Sequence, residues 1–293
     1  MTRIEQFGWR GAMEPGIGRV VSAHGDYYHL VCNEQPTGEI LARKKKSAFM
    51  RMKTVAPVNM KGKKISEERA ELPPQPLTGD FVRFRYNAQG ESMITEVLPR
   101  FSHFERKDPT AKRTSQTLAV NFDTLFIMMS LNENFSTARI RRYLDLAKGM
   151  GEAEPVVVVT KVDLRQDGDE EFFDELREEV GDDVRILEIS SLTGEGMDGV
   201  MKYVKPGQTL AFIGSSGVGK STLLNTLMGE EWQATQEIQE WSGKGRHTTT
   251  SRELVMLPSG AMVIDTPGIR EIGMLGEMDD LQAKGESTHR YRK

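Results

Sequence analysis

The chain has 293 residues, a formal net charge of −4, 38% hydrophobic and 28% charged residues, the composition of an ordinary globular protein. Its single cysteine, Cys32, excludes an intrachain disulfide framework and fits a reducing compartment. With no secretory h-region and no apolar run of roughly 18 residues, the chain is expected to be cytoplasmic, neither exported nor membrane-spanning.

Five short runs with turn signals between them open the chain, at 18–22, 27–32, 38–42, 80–86 and 92–97. This spacing predicts a small Greek-key barrel of the OB type over residues 1–100. An insertion at 43–78 interrupts it. Residues 43–64 hold nine Lys and Arg and no acid, and Pro73, Pro74 and Pro76 are expected to keep the base of the insertion extended. Residues 1–100 carry 16 Lys and Arg against 11 Asp and Glu, whereas the whole chain is acidic. A charge run is most simply a solvated loop. Within a barrel, beside Phe49 and the exposed-type Tyr27 and Tyr28, RNA phosphate binding by Lys44, Lys45 and Lys46 is the better reading.

Beyond residue 100 the pattern changes to alternating apolar strands and amphipathic helices. A helix is expected over 137–148, with Ile140, Leu144 and Ala147 on one face, and another over 169–180, with Phe172, Leu176 and Val180 inward. Between them the run 155–159 reads as a buried strand ending in Thr160, Lys161, Val162 and Asp163. A carboxylate at Asp163 can accept from guanine N1–H and N2–H₂, and the Lys161 stem can lie over the base. Adenine cannot reciprocate, and a site built on such hydrogen bonds discriminates strongly. The next strand, 184–189, leads into a loop from Ser190 to Gly196. There Ser190, Ser191 and Leu192 are suited to offer backbone N–H groups to guanine O6.

The run 210–213 is followed by a phosphate-binding loop of the form G-x-x-x-x-G-K-[ST] and by a helix over 222–228. Gly214, Ser215, Ser216, Gly217, Val218 and Gly219 can turn successive N–H groups on one anion, aided by the helix N-terminus that begins near Thr222. Lys220 is expected to reach the β- and γ-phosphates as a catalytic group, and the Ser221 hydroxyl to ligate Mg²⁺. Downstream, residues 243–250 contain Arg246, His247 and three threonines, the natural switch, with Thr249 the choice for the metal. A last strand, 261–264, ends in Asp265, Thr266, Pro267 and Gly268. Asp265 is suited to Mg²⁺ and the Gly268 N–H to the γ-phosphate. Ile269 stands where many GTPases carry a water-holding glutamine, so His247 is the candidate to position the attacking water, with packing within the switch as its plainer role. The base-reading element precedes the phosphate loop, so an α/β P-loop GTPase domain, circularly permuted, is expected over 101–276. Cutting a domain in this way is tolerated where termini lie close together.

These motifs in this order, together with Gly8-Trp9, 18–21, Pro99-Arg100, 121–126, 245–250 and 265–271, resemble the bacterial RsgA (YjeQ) family of small-ribosomal-subunit-dependent GTPases. The resemblance implies an OB-fold, a permuted GTPase domain and a role in late maturation of the small subunit. It implies the small ribosomal subunit and its rRNA as partners of a monomer with no membrane attachment, and Mg²⁺ with GTP as substrate and GDP as product. The family also has a C-terminal zinc domain built on three cysteines and a histidine. Cys32 is the only cysteine here, and the tail 277–293 is short and polar, so no zinc is expected. The alternative is a nucleotide-dependent RNA-binding protein that hydrolyses little because that module is missing.

Overall fold

In a computed structural model of the chain, the structure describes residues 1–49, 74–107, 115–131, 136–229 and 253–265. A short helix, α1 (Arg3–Gln6), leads into β1 (Ile17–His24), β2 (Tyr27–Cys32), β3 (Ile40–Lys44), β4 (Phe81–Arg85) and β5 (Ser92–Val97). Their pairing order is β1-β2-β3-β5-β4, and β4 returns to pair with β1, so the five strands close into a barrel. Along β3 and β5 buried and more exposed residues alternate, as a sheet with one wet face requires. Val20, Leu30, Ala42, Val82, Phe84 and Ile94 fill the interior. The expected bounds of β2 and β5 match. Tyr28 does not lie outside as expected: it is 3% exposed and part of the barrel core, because adjacent strand residues face opposite sides. Phe49 is buried in the same core.

After a two-stranded ribbon, β6 (His103–Lys107) and β7 (Ser115–Val120), the chain builds a parallel sheet from β8 (Thr124–Ser130), β9 (Glu154–Thr160), β10 (Arg185–Ile189), β11 (Thr209–Gly214) and β13 (Met262–Asp265), with β12 (Glu253–Met256) antiparallel at its side. All seven residues of β8 are buried, since helices cover both faces. Leu125, Ile127, Met129, Val157 and Val159 face α2 (Thr137–Ala147) and α3 (Glu170–Val180); Phe126, Met128, Val156 and Val158 face α4 (Met197–Met201) and α5 (Lys220–Met228). The Ser136 hydroxyl caps α2 by accepting from the Arg139 N–H at 3.3 Å. On α3 the inward face is Phe173, Leu176 and Val180, not Phe172, which is half-buried. The spacing i, i+3, i+7 beats i, i+4, i+8 because 3.6 residues make a turn.

The barrel and the parallel sheet are one eleven-stranded surface, joined where β1 meets β12 at Ser22 and Glu253. Beside that joint lies a buried polar cluster. Arg19 on β1 is 1% exposed. It donates from Nη1 to the Phe7 carbonyl (2.6 Å) and Thr209 Oγ1 (3.0 Å), from Nη2 to the Asn121 carbonyl (2.7 Å), and from Nε to the Gly79 carbonyl (3.2 Å). Burial pushes its pKa down to about 9, against the nearby Asp80 carboxylate, which leaves it a cation at neutral pH. Asp80 is itself gripped by Arg100 through two bonds of 2.8 Å. Asn121 adopts a left-handed φ of 52° and accepts from the Phe101 N–H at 3.1 Å, locking the chain at the entry to β8.

Candidate functional site

Successive strands β8, β9 and β10 step outward in one direction; the chain then returns to place β11 on the other side of β8, followed by β13. The direction of winding therefore reverses between β8 and β11, and the crevice at the carboxyl ends of these strands is where such sheets hold ligands. The phosphate-binding loop occupies that point. Gly214 ends β11 with φ 153°, and a Cβ there would sit 2.5 Å from the Met128 carbonyl of β8. Gly217 and Gly219 have φ of 73° and 97°, conformations that turn the loop back into α5. Val218 is buried in the core beneath it. Ser215 is buried, whereas Ser216, Ser221 and Thr222 are exposed at the mouth and at the first turn of α5. Lys220 folds over the loop, its Nζ donating to the carbonyls of Gly214 (2.6 Å) and Ser215 (2.7 Å).

The element expected to read the base reaches this loop directly. Thr160 ends β9, two strands away, and its hydroxyl donates to the Val218 carbonyl at 2.7 Å, with the Met129 carbonyl at 3.3 Å. Lys161 follows in a left-handed conformation, φ 62°, which swings the chain off the sheet into a single 3₁₀ turn, Val162–Leu164. Val162 anchors that turn in the core and Asp163 is exposed on it. At the end of β10 the Ser190 hydroxyl accepts from the N–H groups of Leu192 and Thr193, both at 3.2 Å, and the Ser190 N–H donates to the Glu195 carbonyl at 2.9 Å. Of the three N–H groups expected to face a base, only that of Ser191 has no acceptor among the described residues. Gly196 closes this loop with φ 70° against the Glu188 carbonyl. Asp265 ends β13, whose partner is β11, so it lies on the same edge of the sheet as the phosphate loop. His247, Thr249 and Gly268 lie outside the described residues, as do residues 277–293, the short polar tail for which no zinc is expected.

On the barrel, Lys44 ends β3, half-buried, with its Nζ 3.3 Å from the Asp26 carboxylate and donating to Gln75 at 2.9 Å. Lys45 is half-buried and Lys46 exposed, so of the three lysines Lys46 is the most open to a ligand. Sequence reasoning missed the Thr160 bond to the phosphate loop and the Arg19 cluster. An arginine flanked by Gly18 and two valines in a strand was the available signal for the second. No helix among the described residues is long and apolar enough to cross a membrane.

The sequence model of the RsgA GTPase family matches residues 97–275. A protein of Lactiplantibacillus plantarum named small ribosomal subunit biogenesis GTPase RsgA 2 is 38% identical over 92% of this chain and 70% of its own length. One of Leptospira interrogans, named small ribosomal subunit biogenesis GTPase RsgA, is 42% identical over 69% of this chain, which spans only 55% of that relative. Among solved structures, YjeQ from Thermotoga maritima superposes with a TM-score of 0.59 at 25% identity, covering 87% of this chain and 76% of that one. YloQ, described as a circularly permuted GTPase, matches in fold with a TM-score of 0.52 at 22% identity, over 88% of this chain and 74% of its own. With its phosphate loop downstream of its base-reading strand and the family pattern running through more than half its length, the chain belongs to the RsgA family of circularly permuted GTPases.

Proposed function

We propose that this chain is a cytoplasmic, Mg²⁺-dependent GTP hydrolase that acts in late maturation of the small ribosomal subunit and contacts its rRNA through the barrel. The observation that carries the nucleotide reading is the Thr160 hydroxyl bonded to the Val218 carbonyl, which ties the base-reading strand end to the phosphate loop. That bond sets the spacing between guanine and phosphates before either is bound. Asp163 and the Ser191 N–H then read the base, with Lys161 over it. Gly214 to Gly219 present their N–H groups to the phosphates, and Lys220 exchanges its two carbonyl acceptors for phosphate oxygens.

The donors at hand, the exposed Ser221 hydroxyl in the first turn of α5 and a carboxylate at Asp265, which ends the strand paired with β11, are hard oxygen ligands suited to Mg²⁺, with Thr249 as a third. Held there, the ion would neutralise charge on the β- and γ-phosphates. His247 orients the attacking water in place of the missing glutamine. The partner reading rests on the relatives' names, and the chain works as a monomer.

GTP turnover with and without purified small subunits is the test. Stimulation by subunits, lost in His247→Ala at unchanged GTP affinity, is expected. Subunit binding with no turnover at all would leave only the nucleotide-dependent RNA-binding alternative. Asp163→Asn is expected to lose GTP and gain xanthosine triphosphate, whose 2-oxo group accepts from the new amide; unchanged GTP preference would remove Asp163 from the base site.

A further inference from the structure

Four exposed side chains form one row across the outer wall of the barrel. Strand pairing sets Tyr27 of β2 opposite Arg43 of β3, Arg43 beside Met93 of β5, and Met93 opposite Arg85 of β4. Tyr27 is 38% and Met93 44% exposed, and Leu41, two residues before Arg43 on the same wall, is 37% exposed. Their neighbours Tyr28, Ala42, Ser92 and Phe84 point inward, so the alternation of each strand puts the row on a single face. At about 4.8 Å between strands, the row is roughly 14 Å wide.

The row is also held in shape. The Arg43 guanidinium lies 4.2 Å from the centroid of the Tyr27 ring and contacts the Tyr27 hydroxyl, while its Nε donates to Glu91 at 2.7 Å. A ring and a guanidinium plane stacked on each other and pinned by a carboxylate have little rotamer freedom left to lose on binding. Lys44, Lys45 and Lys46 continue directly from Arg43.

We infer that this row is a stacking platform for unpaired RNA bases, so that the barrel takes a single-stranded segment rather than a duplex. The inference rests on the RNA-binding reading above and adds which form of RNA is taken and by which side chains. Flat aromatic and guanidinium surfaces match the π-faces of bases, which are accessible only when unstacked. The thioether of Met93 and the Leu41 side chain extend the apolar surface for the same faces. The lysines at the end of β3 supply the phosphate charge, and the exposed Arg85 closes the far side of the row. A duplex offers phosphates and 2′-hydroxyls but no free base face, and so leaves this apolar surface wet.

The test is fluorescence anisotropy of the full chain with a labelled single-stranded RNA of about 12 nucleotides and with the corresponding duplex, across a salt series. Wild type is expected to bind the single strand at least about 10-fold more tightly than the duplex. Tyr27→Ala is expected to lower single-strand affinity about 10-fold with the salt slope unchanged, and Tyr27→Phe to restore it, because stacking needs the ring and not the hydroxyl. Lys46→Ala, by contrast, should reduce the slope. Equal affinity for duplex and single strand, or Tyr27→Ala and Met93→Ala variants of unchanged melting temperature that bind like wild type, would overturn the platform while leaving RNA binding in place. No binding of either RNA at low salt would overturn both.

Discussion

Replacing Arg19 by methionine removes all the hydrogen bonds that its guanidinium makes at the joint between barrel and sheet while nearly conserving volume. The carbonyls of Phe7 and Asn121 then lose their partner among the described residues, whereas that of Gly79 keeps the Asn121 side-chain amide at 3.2 Å. Each buried acceptor left unsatisfied costs about 1–3 kcal/mol, and hydrogen bonds to a charged donor fall at the upper end. Against this stands relief from keeping a guanidinium desolvated, several kcal/mol in a buried ion and partly offset here by Asp80. Orphaning wins because the methionine supplies no donor at all, and a net loss of about 3 kcal/mol is expected. For a chain of this size that is a fall in melting temperature of about 6–12 °C. Arg19→Lys, whose single ammonium cannot span acceptors on opposite sides, is expected to fall between the two. Differential scanning calorimetry of the three proteins at neutral pH reads this directly. A methionine variant melting within about 1 °C of wild type would refute the claim that the cluster carries the joint.

Lys220→Ala is expected to weaken GTP binding by about 100-fold or more in titration calorimetry, since the side chain that must meet the phosphates is gone. Gly214→Ala places a Cβ 2.5 Å from the Met128 carbonyl in a backbone conformation foreign to alanine; loss of GTP binding together with a lowered melting temperature is expected, and a variant with unchanged binding would contradict the loop geometry. Gly196→Ala meets the Glu188 carbonyl at φ 70° and should displace the Ser190 loop, which nucleotide competition would read as reduced preference for guanine over adenine. Burial pushes the Cys32 thiol pKa up, so alkylation at mildly alkaline pH should require denaturant, and rapid labelling of the native protein would place Cys32 outside the barrel core.

What could be read from sequence was local. The strands at Tyr27–Cys32 and Ser92–Val97 stand out because turn residues bracket them, and the phosphate loop because eight positions in a strand-turn-helix setting have few other solutions. The strand β8 went unread: its five apolar residues, Leu125 to Met129, do not alternate, since helices cover both faces, and such a run does not by itself tell strand from helix. Glu253–Met256 is four residues long, too short for any period to declare itself. The placement of Tyr28 and Phe172 failed for a different reason. Each was assigned a face without its neighbour, although Tyr27 and Tyr28 cannot share one side of a strand, and Phe173 rather than Phe172 keeps register with Leu176 and Val180. The contacts of Arg19 with Thr209 and of Thr160 with Val218 span 190 and 58 residues, distances over which no local pattern carries information.

The permuted order has a physical consequence at Glu253. The first residue of β12, Glu253, pairs with Asp265 of β13 on one side and with Ser22 of the barrel on the other. Glu253 is thus the residue where β13, the strand that ends in Asp265, and the barrel wall come together. Pulling it in either direction breaks pairing with one neighbour or the other, because a ladder does not stretch. Three residues before Ser22 on the same strand, Arg19 clamps Thr209 at the start of the strand that carries the phosphate loop. The barrel therefore grips the parallel sheet at two points on β1, one at the root of the phosphate-loop strand and one at the start of β12. A rigid strand between two grips transmits displacement from either to the other, so the barrel and the parallel sheet share one mechanical frame.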